Sequence, residues 1–158
     1  MSSVSAIKPD VIIVEDNLTF RKVLKSIISV EKLATVIGEA SNGLELLDLL
    51  LQLNPDLVLM DIDMPEMNGI EATEKALELM PDLKIIALTQ FENKEYFNEM
   101  VALGIRGFIL KSKGIWELEK AMKEVMQGRK YFSDNKVAKA GKTRGIKSTT
   151  KPTVKTNK

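Results

Sequence analysis

Four short apolar runs in this chain lead straight into chemically capable side chains: VIIV into Glu15 and Asp16, DLVLM into Asp61, KIIAL into Thr89, and GFIL into Lys111. Taken one at a time these residues are ordinary. An aspartate after a strand caps a turn or a helix, a threonine suits a strand, and a lysine is a solvated charge. Their recurrence at four run ends separates them from that background. In an open parallel α/β sheet, ligands bind just outside the carboxyl ends of the strands, so residues far apart in sequence meet along one edge. Three carboxylates, one hydroxyl and one ammonium would share that edge, an inventory suited to a divalent cation and a phosphoryl group.

The segments that must position them alternate between short apolar runs and amphipathic stretches, the rhythm of βαβ units. Strands are expected near 10–15, 34–39, 56–61, 83–89 and 105–110. A first helix, Leu18–Val30, carries Phe20, Val23, Leu24, Ile27 and Ile28 at helical spacing and is capped by Asn17. Asn42 and Gly43 open a leucine-rich helix over 44–53 that Asn54 and Pro55 end, and Asn68 and Gly69 open a third that Pro81 closes. A fourth, over 93–103, buries Phe97, Met100 and Val101, with Gly104 at its C-cap. The last, Ile115–Met126, sets Ile115, Leu118, Met122, Val125 and Met126 on one face and leaves Trp116 off it. Short connections between such units give a three-layer α/β/α sandwich around a doubly wound five-stranded parallel sheet of order 2-1-3-4-5.

At 158 residues with 44% hydrophobic content, the chain suits one domain with a sizeable core. No apolar run approaches the ~20 residues of a membrane span and no signal-peptide pattern opens the sequence, so a cytoplasmic location is expected. The lack of cysteine excludes disulfides and thiolate metal sites. The lack of histidine excludes imidazole ligands, the commonest general base and an internal phosphohistidine. A phosphoryl donor that works through histidine must therefore be another protein.

The net charge of +1 conceals an asymmetry. Of 23 basic residues eight fall in 136–158 (Lys136, Lys139, Lys142, Arg144, Lys147, Lys151, Lys155 and Lys158), where there is no acid, leaving fifteen against 22 acidic residues elsewhere. The expected organisation is a flexible start over 1–9, an acidic body over 10–135, and a basic tail or linker over 136–158 too poor in apolar residues to offset its ordering entropy.

The pair Glu15-Asp16, the run Met60-Asp61-Ile62-Asp63-Met64-Pro65-Glu66-Met67-Asn68-Gly69, Thr89, Phe108 and Lys111 together resemble the receiver domain of two-component response regulators. The resemblance covers about residues 8–130 and implies a CheY-like, flavodoxin-like fold. It implies that Asp61 accepts a phosphoryl group from a histidine kinase or histidine phosphotransfer protein. Glu15, Asp16 and Asp61 then hold Mg²⁺ (or Mn²⁺), with the Asp63 backbone carbonyl as a further ligand. Thr89 and Lys111 contact the phosphoryl oxygens, and Phe108 is an aromatic switch acting on the α4–β5–α5 surface. Such a domain is a phosphoacceptor with slow self-dephosphorylation, not a turnover enzyme. The resemblance also leaves room for a homodimer on phosphorylation and a downstream output partner. The chemistry is coherent in its own right. Carboxylates about 5 Å apart repel by roughly 3 kcal/mol per pair at an effective dielectric of 20, and a hard divalent cation relieves that.

Two residues depart from the common pattern. Gln90 stands where a small residue usually follows the hydroxyl, and its amide could crowd the attacking water of dephosphorylation; Ser112 replaces the proline that often follows the lysine. Lys111-Ser112-Lys113 and Gly128-Arg129-Lys130-Tyr131-Phe132-Ser133 are similar to receivers of the NarL and FixJ type, which precede a helix-turn-helix output domain. The tail after Ser133 is expected to hold no such domain.

Two other functions fit parts of this pattern. A haloacid-dehalogenase-type phosphatase would use Asp61 and Asp63 as nucleophile and acid/base, but here the acidic pair precedes the nucleophile strand and none follows Lys111. The basic tail could bind nucleic acid weakly and without sequence preference, whereas the acidic body is not expected to bind it. A solvated linker, or an arm lying on that body, is the favoured reading of the tail.

Overall fold

The computed structural model describes residues 8–64, 66–90 and 93–133. Its elements run β1 (Asp10–Val14), α1 (Leu18–Val30), β2 (Thr35–Ala40), α2 (Gly43–Leu50), β3 (Leu57–Asp61), α3 (Gly69–Leu79), β4 (Lys84–Thr89), α4 (Lys94–Leu103), β5 (Gly107–Leu110), a 3-10 turn (Lys111–Lys113), α5 (Ile115–Met126) and β6 (Tyr131–Phe132). The strands pair in parallel in the order β2-β1-β3-β4-β5-β6. β3 and β5 are buried at every position, as strands covered on both faces must be, and so their sequences read as unbroken apolar runs.

Alternation along the strands divides the core into two layers. Ile12, Val58, Met60, Ile85, Ala87 and Phe108 face α2, α3 and α4, which supply Leu46, Ala72, Ala76, Phe97 and Met100. Val11, Ile13, Leu57, Leu59, Ile86, Leu88 and Ile109 face α1 and α5, which supply Leu24, Ile28, Leu118, Met122 and Val125. Four asparagines start the first four helices. Asn17, Asn42, Asn68 and Asn93 each accept with the side-chain oxygen from a backbone N–H of the first turn. Gly104 ends α4 in the left-handed region at φ 106°, where a side chain would be strained.

Among the described residues the sheet has six strands, one more than the five expected. Tyr131 N–H donates to the Arg106 carbonyl at 2.9 Å and Ser133 N–H to the Phe108 carbonyl at 2.9 Å, so the segment after α5 closes the outer edge of β5. The Tyr131 hydroxyl donates to Glu117 Oε2, and the Phe132 ring meets Phe97 edge-on at 5.2 Å. Burial first, and then the Glu117 hydrogen bond, pushes the Tyr131 phenol up to about 12. A two-residue strand is too short to show a period, and its stabilising contacts are all distant in sequence.

Smaller departures also have physical causes. α2 stops at Leu50, short of the expected 53, because Leu51 and Gln52 bond back to Asp48 and Leu49 in a tightened final turn. Val23 is half exposed although its spacing puts it on the apolar stripe of α1, and Trp116 is exposed as expected. Residues 1–7 of the expected flexible start lie outside the described residues, while the Pro9 carbonyl is held by Thr35 N–H. The expected tail over 136–158 also lies outside the described residues.

Candidate functional site

Strand alternation and register select which strand-end residues meet. Val11 and Ile13 of β1 and Leu57 and Leu59 of β3 point toward α1 and α5, so the next residues in each alternation, Glu15 and Asp61, emerge on that same face. On β5 the same count from Ile109 gives Lys111. All three arrive at one end of the sheet because Val14 pairs with Met60, Asp61 with Leu88, and Leu88 with Ile109.

The geometry follows that arithmetic. Carboxylate oxygens of Glu15, Asp16 and Asp61 lie within 4.8 Å of one another. Lys111 Nζ is 2.8 Å from Glu15 Oε1 and 3.4 Å from Asp61 Oδ1. Its ammonium also stands 4.6 Å from the centre of the Phe20 ring, within cation–π range. Glu15 and Asp61 are almost wholly buried, at 1% and 3% exposure, whereas Asp16 is exposed. Glu15 Oε2 accepts from Asn17 N–H at 3.1 Å, and Asp61 Oδ1 from Asp63 N–H at 3.4 Å. These residues open on a cleft of about 370 Å³ whose wall includes Phe20, Asp63 and Gln90. Burial first, then the neighbouring Glu15 charge and the Asp16 hydrogen bond, pushes the Asp61 carboxyl up to about 7 against the pull of Lys111.

The donor set fits a hard divalent cation. All three side chains offer oxygens close enough to share one ion, two of them from buried positions where uncompensated charge is costly. No imidazole or thiolate exists in the chain to favour a softer metal.

The remaining expected site residues are placed differently. Thr89 follows Ile85 and Ala87 on the opposite face of the sheet; it is buried and is not in the wall of the cleft. Phe108 is buried with its ring already inward, edge-on to Phe97 at 5.2 Å. Phe20 reads in sequence as one more apolar position of α1, and nothing there marks it as the ring beneath Lys111. Gly69 reads as a helix start, yet a Cβ there would lie 2.6 Å from the Ile62 Cα and closer still to the Asp61 carbonyl. The helix after β3 can dock this closely only on glycine.

The family model of the response regulator receiver domain matches residues 11–123. The chain belongs to that family. This receiver is 36% identical over 121 residues to the transcriptional regulatory protein YvfU of Bacillus subtilis, covering 77% of this chain and 60% of YvfU. It is 30% identical over 124 residues to the nitrate/nitrite response regulator NarL of Escherichia coli K12, covering 78% of this chain and 57% of NarL. It therefore spans about three fifths of the length of these relatives. Among solved structures, the receiver domain of the putative response regulator NarL from Mycobacterium tuberculosis superposes with TM-score 0.72 at 26% identity, over 78% of this chain and all of that one. A LuxR-family response regulator from Aurantimonas sp. shares the fold with TM-score 0.81 at 24% identity, over 89% of this chain and 99% of that one. The protein is a receiver domain of two-component signalling, a signalling domain and not a conventional enzyme, and the dehalogenase-type reading is not favoured. Among the described residues, no helix is long and apolar enough to cross a membrane.

Proposed function

We propose that Asp61 is the phosphoacceptor of this receiver and that Glu15, Asp16 and Asp61, with the Asp63 carbonyl, hold the Mg²⁺ (or Mn²⁺) on which transfer depends. The observation that carries the reading is the meeting of a buried Asp61 with two further carboxylates and the Lys111 ammonium in one open cleft. Ionised Asp61 attacks the phosphorus of a phosphohistidine on a histidine kinase or phosphotransfer protein. A P–O bond to Asp61 forms as the P–N bond breaks, and the imidazole leaves with the electron pair. Lys111 neutralises charge on the transferred group and stabilises the ionised form of Asp61. A divalent cation held by Glu15, Asp16 and Asp61 would supply further neutralisation of the transferred group's charge.

Switching would use the two residues that lie outside the cleft. Thr89, drawn to the new phosphate, would vacate space beside β5 and shift the balance between inward and outward positions of Phe108 toward the inward one, in which its ring packs on Phe97. A coupling of ~1–3 kcal/mol between these states is enough to change partner affinity from several-fold to a hundredfold at the α4–β5–α5 surface. A second copy of the receiver and a downstream output partner are the candidates for that surface. The working unit runs over 10–135 in the cytoplasm, with 136–158 as a basic linker or arm.

The test is incubation with a small-molecule phosphodonor and Mg²⁺. One base-labile phosphoryl group is expected on the wild-type chain and none on Asp61→Asn. Uptake by Asp61→Asn at the wild-type rate would refute the assignment.

A further inference from the structure

We infer that Arg21 is a positioning residue for the metal and phosphoacceptor chemistry, acting through the backbone of Glu15; the inference rests on the reading of Glu15 and Asp16 as metal acids. The two acids sit where β1 has ended. Glu15 N–H still donates to the Ala40 carbonyl at 2.9 Å, the last step of the β1–β2 ladder, and its own carbonyl points out of that ladder. Arg21 Nη1 donates to this carbonyl at 2.6 Å and to Ser41 Oγ at 3.1 Å, while Nε donates to Glu39 Oε1 at 3.2 Å. The side chain is 13% exposed. One guanidinium thus ties the loop bearing both acids to the end of β2.

The peptide between Glu15 and Asp16 sets the direction in which both carboxylates leave the backbone. Rotating it would swing Asp16 away from Asp61 and draw Asn17 N–H away from the Glu15 carboxylate. Holding its carbonyl removes that freedom. The hold is anchored from behind, because Glu39 Oε2 also takes Lys25 Nζ at 2.7 Å and so keeps the carboxylate beneath Arg21 in place. It is anchored from below as well, because Arg21 N–H bonds to the Asn17 carbonyl at 2.9 Å in the first turn of α1, and Asn17 N–H bonds to Glu15 Oε2. A lysine at this position would bring charge to the loop but not a planar fork able to serve three acceptors at once.

The test measures Mn²⁺ affinity of the full chain from the electron paramagnetic resonance signal of the free ion, beside urea denaturation without metal. The proteins compared are wild type, Arg21→Gln, Arg21→Lys, Glu39→Gln and Asp16→Asn. Arg21→Gln should bind Mn²⁺ about tenfold more weakly or worse, as for other residues that orient metal ligands. Arg21→Lys should recover only part of that loss. Glu39→Gln, which removes the charge but keeps an amide oxygen to accept from Arg21 Nε and so leaves the hold on the Glu15 carbonyl in place, should stay within threefold of wild type. If Arg21→Gln does not fold, a weakened but folded Arg21→Lys carries the inference, and wild-type affinity in it overturns the inference. Wild-type affinity in Arg21→Gln beside weakened Asp16→Asn overturns it while leaving the metal site intact. So does an equal loss in Glu39→Gln, since Arg21 would then serve the fold alone. A wild-type chain that binds no Mn²⁺ overturns the metal-site reading and this inference with it.

Discussion

Lys111 holds its ammonium closer to Glu15 than to Asp61, at 2.8 Å against 3.4 Å. A single positive charge thus partly neutralises the acidic cluster from within. A lysine paired to a metal acid competes with the metal, and the same lysine is wanted at the phosphoryl group once that group arrives. Lys111→Met removes the competitor and leaves three carboxylates with no internal counter-charge. The expected outcome is a several-fold rise in Mg²⁺ affinity by titration calorimetry together with at least a tenfold fall in the rate of phosphorylation. Weaker Mg²⁺ binding in Lys111→Met would show that the ammonium supports the metal site instead of competing with it.

The raised Asp61 carboxyl predicts a pH-dependent stability in the absence of metal. Its folded value of about 7 lies above the ordinary 3.8, so the folded chain binds this proton more tightly than the unfolded chain. That contribution is complete below about pH 4 and is lost as the pH rises through about 7. Asn at this position does not ionise. Asp61→Asn should therefore gain on wild type in urea denaturation as the pH is raised from about 4 to 8, with the gain levelling off beyond that. A pH-independent difference between the two proteins would mean that Asp61 is not raised.

Metal binding should move in the opposite sense. A cation needs the ionised carboxylate, so Mg²⁺ affinity should increase as the pH rises through about 7, with a proton released on binding. Because Mg²⁺ selects the native state, it should also raise the melting temperature, by an amount corresponding to ~2.7 kcal/mol when it is present at a hundred times its Kd. The gain should shrink in Asp16→Asn. Melts that are the same with and without millimolar Mg²⁺ in both proteins would remove Glu15, Asp16 and Asp61 as a metal site.

Features set by local periodicity and strand position were legible in the sequence. Leu18–Val30 and Ile115–Met126 form helices with the expected bounds, the strands begin and end within about two residues of expectation, and Glu15, Asp16, Asp61 and Lys111 meet because strand ends in a parallel sheet must. What escaped depends on contacts between distant segments. Phe20 looks like core spacing until Lys111 is placed over its ring. Arg21 looks like a surface charge of α1 until β2 brings Glu39 and Ser41 to it. Thr89 illustrates the converse. Its position at a strand end suggests the cleft, but alternation from Ala87 turns it to the other face, so chain position alone does not place it among the acids.

β6 gives the sharpest test of where the working domain ends. Truncation after Asn135 keeps Tyr131, Phe132 and Ser133, and should leave melting temperature, Mg²⁺ affinity and phosphorylation unchanged. Truncation after Lys130 removes all three. It exposes the Arg106 and Phe108 carbonyls that β6 covers, strips the Ser133 hydroxyl from Leu110 N–H, and takes the Phe132 ring from Phe97. Loss of one packed phenylalanine costs about 3 kcal/mol or more, enough to lower the melting temperature by roughly 10 °C in a domain of this size. Leu110 immediately precedes Lys111, so the shorter chain should also phosphorylate more slowly than its loss of folded fraction accounts for. Calorimetry and phosphodonor kinetics on both truncations decide the matter. Equal stability of the two chains would make β6 a passive extension of the receiver, and a damaged 1–135 chain would move the domain boundary into the basic segment.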